Sequence, residues 1–209
     1  MSAEPALADT PAPTRVPPWR HVLNGLALVA ILVVAWLVSH SAPSEAMWQS
    51  PIPVAGTIGE PAAGRNIEAT VLDVRAAETV SSSTGWVGAT TGVWVVVDAR
   101  VATVVSDYGT PFGTANLVIG DTTYGASDRP DQGTIAGQSL STGIPLTGPL
   151  MFEVPPAKLT GEAARTATIQ LAVDSDPRVD SLIVVPVDLT ALEVVPEIDT
   201  DEPVLGVTG

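Results

Sequence analysis

Residues able to do acid–base, nucleophilic or metal chemistry are few in this 209-residue chain, and they are unevenly placed. The two histidines, His21 and His40, flank an apolar run near the N-terminus. Everything after His40 therefore lacks an imidazole for general-base work or metal ligation, and a Ser-His-Asp triad cannot be assembled there. Cysteine is absent, which removes thiolate nucleophiles, disulfides, Cys-based zinc sites and the acylated cysteine of a lipoprotein. Lys158 is the single lysine and follows Pro155-Pro156 in a surface loop, whereas a Ser-Lys dyad needs a desolvated amine. Carboxylates are abundant, but a glycoside-cleaving pair works in a cleft lined with rings and polar groups, and aromatic residues make up only 4% of the chain. Asp174, Asp176 and Asp180 in DSDPRVD offer oxygen ligands of the kind calcium takes, yet the central Gly and terminal Glu of an EF-hand loop are missing. That segment reads as an inter-strand turn, and Asp121, Asp128 and Asp131 read as solvated loop positions. The expectation is a chain that is not an enzyme, with no catalytic residue, no metal ligand and no cofactor.

One loop keeps a binding role open. The segment 81–92, SSSTGWVGATTG, joins the first two long β-type runs and presents Trp86 between glycines. A Trp at a flexible tip offers large contact area at small entropic cost, which suits a glycan, a peptide or a partner protein. The plainer reading folds Trp86 back onto the sheet edge.

These residues must be positioned by two kinds of element. The first is the run 22–39, VLNGLALVAILVVAWLVS, which is uncharged and, at about 1.5 Å per residue, reaches about 27 Å as a helix, close to the hydrocarbon thickness of a bilayer. In lipid a single segment satisfies its own backbone only as a helix. Arg15 and Arg20 precede the run and no basic residue follows until Arg65, so the positive-inside rule keeps the N-terminus cytoplasmic and exports the rest. Trp19 and Trp36 fit interfacial anchoring. A cleaved signal peptide is the competing reading, with Ser44-Glu45-Ala46 as a small-x-small site. Against it stand an apolar run longer than the usual 7 to 15 residues and a preceding tail of about 20. The expected organisation is a disordered cytoplasmic tail over 1–20, a transmembrane helix over 21–40, an extracytoplasmic linker over 41–64, a β-domain over 65–195 and an acidic disordered tail over 196–209.

The second kind of element is the β-strand. Residues 67–80 alternate through Ile67, Ala69 and Val71 and then change phase to Leu72, Val74 and Ala76, a shift that a bulge absorbs. Residues 93–105 put Val93, Val95, Val97, Ala99 and Val101 on one face, with Trp94, Val96, Asp98 and Arg100 on a face half open to water. Residues 115–119, a Gly120-Asp121 turn and 122–125 read as a hairpin. Strand 150–154 stops at Pro155-Pro156, residues 166–173 alternate cleanly, and 181–192 closes the set, with Pro186 marking an edge or bulge. Short runs at this spacing predict an all-β fold, an antiparallel β-sandwich outside the membrane with one N-terminal transmembrane helix.

Three patterns carry a resemblance: VWVVVDARV, the turn Gly120-Asp121-Thr122-Thr123-Tyr124, and Ser141-Thr142-Gly143 leading through Gly148 into Leu150-Met151-Phe152-Glu153-Val154-Pro155. Over about residues 64–192 the chain resembles the telokin-like, immunoglobulin-type domain of unknown function found in bacterial membrane-anchored or surface proteins. It departs from that pattern after VVDARV, where Ala102 and Thr103 stand in place of an Asn. The resemblance implies an immunoglobulin-like sandwich, attachment to a membrane or lipid and an extracytoplasmic place, and no agreed chemistry.

Nine basic against 23 acidic residues give a formal net charge of −14, which repels phosphate backbones. The expected partners are therefore the membrane, through helix 21–40, and an envelope protein or ligand, but no nucleic acid. The expected role is a non-catalytic, membrane-anchored binding or accessory module of a bacterial-type cell envelope. The alternative is a structural subunit of a multi-protein envelope or transport complex.

Overall fold

A computed structural model describes residues 17–41, 49–105 and 109–206. The chain divides into two compact units, residues 1–47 and 48–209. The first contains one helix, α1 (Pro18–Ser41), of 24 residues. Pro18 opens it, where a missing N–H costs nothing, so the helix starts before the expected position 21 and takes in three residues expected to be tail. At about 1.5 Å per residue it reaches about 36 Å. Every residue of it is exposed within the chain, and it is long and apolar enough to cross a membrane, a form shared by anchors and signal sequences. The expected tail over 1–16 lies outside the described residues.

The second unit is β-rich, as expected. Its strands are β1 (Ile52–Ala55), β2 (Ala62–Ala63), β3 (Ile67–Ser82), β4 (Val87–Thr103), β5 (Thr110–Pro111), β6 (Thr114–Ile119), β7 (Thr122–Gly125), β8 (Ser139–Leu140), β9 (Leu146–Val154), β10 (Ala167–Ala172), β11 (Ser181–Val187), β12 (Val194–Thr200) and β13 (Val204–Leu205). One sheet has the order β1-β11-β10-β6-β7. A second has the order β12-β3-β4-β9-β13, with β2 added beside β3, and β5 and β8 form a small separate pair.

Both large sheets turn one face into a common core. The alternating stripe Val93, Val95, Val97, Ala99 and Val101 of β4 points inward, as its period of two requires. Leu150 and Phe152 join it from β9, and the first sheet meets them with Leu117, Ile169, Leu171 and Ile183, each fully buried. Full burial of one such aliphatic side chain contributes about 1.5–3 kcal/mol. The phase change in β3 is a register shift between Val71 and Asp73: Leu72 turns outward, and Val74 and Ala76 return to the core. Gly120, at φ 58°, makes the turn of the β6–β7 hairpin, a conformation that glycine adopts without steric penalty.

Several expectations need correction. The sheets are not wholly antiparallel, because β1 runs parallel to β11 and β12 parallel to β3. Each of these strands reaches its partner from a remote part of the chain, so no hairpin constrains its direction. Pro186 lies in a strand flanked by β1 and β10. The β1 register ends at Val184, however, so the N–H that Pro186 lacks falls beyond the ladder on that side. The linker over 41–64 is structured where it is described. Val54 packs against the core, Ala62 is buried, and Gly64 lies so near Ser181 that an added Cβ would stand 2.5 Å from the Ser181 Cβ. Residues 42–48 of that linker lie outside the described residues.

The acidic tail is a strand over much of its length. Ile198 and Thr200 are buried, and Glu197 accepts a hydrogen bond from the Ser81 hydroxyl at 2.5 Å. Strand periodicity sends Glu197 and Asp199 to positions where they remain hydrated, so the charges do not oppose pairing. Residues 207–209 lie outside the described residues.

Between β11 and β12 a 3₁₀ turn (Leu189–Ala191) is capped by Asp188, whose carboxylate accepts from the Thr190 N–H at 2.9 Å and its hydroxyl at 2.5 Å. These bonds hold the Asp188 carboxyl below the usual carboxylate range. A carboxyl depressed on folding adds stability above its unfolded value and loses it as pH falls through the folded value. The stability gap between the wild type and Asp188→Ala is therefore expected to stay constant from neutral pH down to about 4 and to close below that, as followed by denaturant unfolding across pH. Deleting residues 193–209 should destabilise the body by at least about 2 kcal/mol, the transfer value of one buried Ile. Equal unfolding midpoints for the truncated and full chains in the same detergent would restore the disordered-tail reading.

Candidate functional site

The expected binding residue, Trp86, belongs to an aromatic corner on the outward side of the second sheet. Its loop is shorter than the expected 81–92, since β3 and β4 stay paired through Thr79 and Ala89, Val80 and Gly88, and Ser81 and Val87. Val87, Ala89 and Thr91 sustain the extended pattern, leaving a tip of Ser83, Thr84 and Gly85. The tip is closed by Ser82 N–H to Trp86 carbonyl at 2.8 Å and by Gly85, at φ 87°, donating to the Ser82 carbonyl at 2.9 Å.

Trp86 folds back instead of projecting. A Cβ on Gly88 would stand 2.2 Å from Cη2 of the Trp86 ring, so the indole lies directly over that glycine. The same ring meets Trp94 edge to face, with centroids 5.7 Å apart and planes at 83°, a geometry that aromatic quadrupoles favour. Trp86 is half-buried, whereas Trp94 is fully buried.

On Trp94 also rests the Arg129 guanidinium, 5.0 Å from the ring centroid. Arg129 donates to Glu153 Oε2 at 2.9 Å, and the Thr90 hydroxyl donates to Glu153 Oε1. Glu153 is paired with Trp94 across β9 and β4, so the strand register places the carboxylate beside the ring. The segment carrying Arg129 is bound to the side of β9 away from β4, beyond the short β13 pairing, by Ser127 N–H to the Met151 carbonyl at 2.7 Å and Ile135 N–H to the Pro149 carbonyl at 3.1 Å. Among the described residues the buried Trp94 indole N–H has no hydrogen-bond partner, an omission that costs about 1–3 kcal/mol.

The face expected to be half open to water is therefore closed at this end. Trp94, Val96 and Met151 are fully buried in a second cluster with Ala77, Val80 and Ile198, against which Trp86 and Val195 pack. Asp98 and Arg100 keep the expected polar character further along. Asp98 accepts from Arg75 at 2.5 Å, and Arg100 donates weakly to the Thr147 hydroxyl at 3.4 Å beside a cleft of about 310 Å³ that also involves Glu68, Thr70 and Thr142. A second cleft, of about 470 Å³, lies among Phe112, Asn116, Gly125, Asp128, Asp174 and Ser175.

Trp19, Arg20 and Trp36 lie on α1, with the Arg20 guanidinium 5.7 Å from the Trp19 ring and Trp36 stacked at 4.4 Å on His40; Arg15 lies outside the described residues. Lys158 is exposed and donates to the Thr122 hydroxyl at 3.2 Å. Asp176 is engaged by Arg178, whose Nε donates to its two oxygens at 2.8 and 2.9 Å; those bonds hold the Asp176 carboxyl below its ordinary range. Among the described residues no three His, Asp or Glu side chains gather to hold a metal ion. Sequence reasoning missed Trp94, Arg129 and Glu153. The available signal was Trp94 and Val96 at outward positions of an alternating strand, since two large apolar side chains there require a cover.

No family model matches the chain, and no curated protein matches it. Two solved structures are similar to it. The yjhA protein from Bacillus subtilis is 16% identical at a TM-score of 0.43, with 63% of this chain and 98% of that one covered. A candidate lipoprotein from Staphylococcus aureus is 10% identical at a TM-score of 0.42, with 69% and 97% covered. At such identity and score neither likeness bears on function.

The corner can stack and hold: ring faces, an ion pair and a hydroxyl are what it presents. Gly88→Ala is expected to lift Trp86 off its seat and raise acrylamide quenching of tryptophan fluorescence without unfolding the chain. The increment should vanish in Gly88→Ala combined with Trp86→Phe; quenching unchanged by Gly88→Ala would refute the packed geometry.

Proposed function

We propose that this chain is a single-pass membrane protein with a cytoplasmic N-terminus, whose β-rich body stands outside the membrane as an immunoglobulin-like, telokin-like sandwich. It serves there as a non-catalytic binding or accessory module of the cell envelope. The observation that carries this reading is α1, a 24-residue helix that is uncharged from Val22 to Val38, most of whose side chains over that span are large and apolar and all of which are exposed. Such a surface needs an apolar solvent. Arg15 and Arg20 before it, against no basic residue until Arg65, support the inward orientation of the N-terminus.

Two facing sheets with one core support the sandwich reading. The binding role draws support from the half-buried Trp86 ring on its glycine seat, and the non-catalytic role from a body that has neither histidine nor cysteine in its sequence.

Protease applied to spheroplasts carrying an N-terminally tagged chain is expected to remove the body and leave a protected tagged fragment of tail and helix. A body that survives digestion until the membrane is opened would overturn the topology. Stoichiometric recovery with other membrane proteins would move the role from binding module to structural subunit.

A further inference from the structure

Charge is divided unequally between the two large sheets. The strands β1, β6, β7, β10 and β11 contain no Asp, Glu, Lys or Arg, whereas the strands of the second sheet contain nine such residues. For inward positions neutrality is a condition of burial, but outward positions carry no such requirement. At outward positions the first sheet nevertheless reads Val184, Gln170 and Asn116, then Pro186, Thr168 and Val118, all half-exposed or exposed, while Leu182, Ala172 and Thr114 on the same side are buried. After residue 47 the chain has twenty acidic against seven basic residues, a formal −13, so a neutral face five strands wide is not the by-product of a charge-poor surface. Acids stand at its margin: Asp128 and Asp174 line the cleft at its Asn116 end, and Asp188 follows β11.

We infer that this face is a self-association surface that seats the same face of a second copy about a two-fold axis. Two bodies of equal and large negative charge repel, and they approach at least cost where neither presents a charge. A cationic partner would be drawn to the acidic remainder of the surface and gain nothing from the neutral face. An isologous interface must also be complementary to itself. Gln170 lies on the central strand of the five, and its amide both donates and accepts, so it can pair with its own copy across the axis. Thr168 and Asn116 have the same dual capacity.

Five strands about 4.8 Å apart, spanned by two exposed cross-strand rows, give a face of about 300 Å², less than half the roughly 800 Å² per partner of a standard interface. The association is accordingly weak in free solution. It gains from confinement of both copies to one membrane plane, a gain that rests on the anchoring proposed above.

The full chain in detergent micelles tests this. Because it lacks cysteine, Gln170→Cys supplies a single reporter and Thr168→Cys a second. Both are expected to give disulfide-linked dimers on mild oxidation, while Thr70→Cys, outward on the other sheet, stays monomeric. Sedimentation equilibrium of the wild type should show more dimer as salt rises, since screening removes the repulsion. Gln170→Glu, which places two carboxylates at the axis, should weaken the dimer at least about tenfold. A wild-type chain monomeric at every concentration, crosslinking at Thr70 as fast as at Gln170, or a dimer indifferent to Gln170→Glu would overturn the inference; the last would assign association to the helix. Fractionation of the same variants reports anchoring separately, so loss of the dimer in a chain still held in the membrane fraction leaves the anchor standing.

Discussion

The burial of β4 on both faces is the constraint on which the rest of the body depends. A disulfide-free domain must draw its stability from packing, and this strand supplies two cores at once. Its inward valines meet the first sheet, and its outward Trp94 and Val96 lie under cover of their own. A strand so enclosed has to be central, and β3 and β9 pair along its two sides accordingly. The outer cover follows from the same requirement. Trp86 folds over Gly88 because the Trp94 ring beside it must be sealed from water, and Arg129 stacks on that ring while Glu153 holds its charge in place.

Charge is then distributed around this framework by what each strand has to bury. Strands of the second sheet alternate between a buried side and a side where Glu68, Asp73, Asp98 and Arg100 remain hydrated. One edge of each large sheet is protected by composition. Pro53 sits in edge strand β1, and Pro196, Glu197 and Asp199 sit in edge strand β12, so neither edge offers an uninterrupted, uncharged ladder to another chain. The neutral outward side of the first sheet stands apart from this pattern.

Much of the fold was legible in the sequence where a local rule acts alone. Period-two alternation identified β4 and β10, and a turn signal and a proline stop bounded β6 and β9. The phase change at Leu72 identified the bulge, and Gly120-Asp121 identified a hairpin that the structure closes at a left-handed glycine. The candidate site was legible only in outline. Trp86 stood out as a lone ring between glycines, but that it folds down onto Gly88, two residues further on, depends on its neighbours Trp94, Arg129 and Glu153, which come from three separate parts of the chain. The linker and the acidic tail were misread for one reason. Their Pro, Gly and carboxylate content suits loops, and the value of Val54, Ala62 and Ile198 appears only when a neighbouring strand covers them.

By itself the sequence determined the apolar helix and its basic flank, the β-rich class of the body, and the absence of imidazole and thiol chemistry after residue 40. These follow from composition and from periodicities of a few residues, which need no knowledge of what lies opposite. Tertiary structure decided the parallel edge strands, the closure over Trp94, the pairing of Arg129 with Glu153, and the gathering of every uncharged strand of the first sheet into one face. Those depend on which remote segments share a ladder, and ladder partners are chosen by the burial of whole faces, a property no single segment carries.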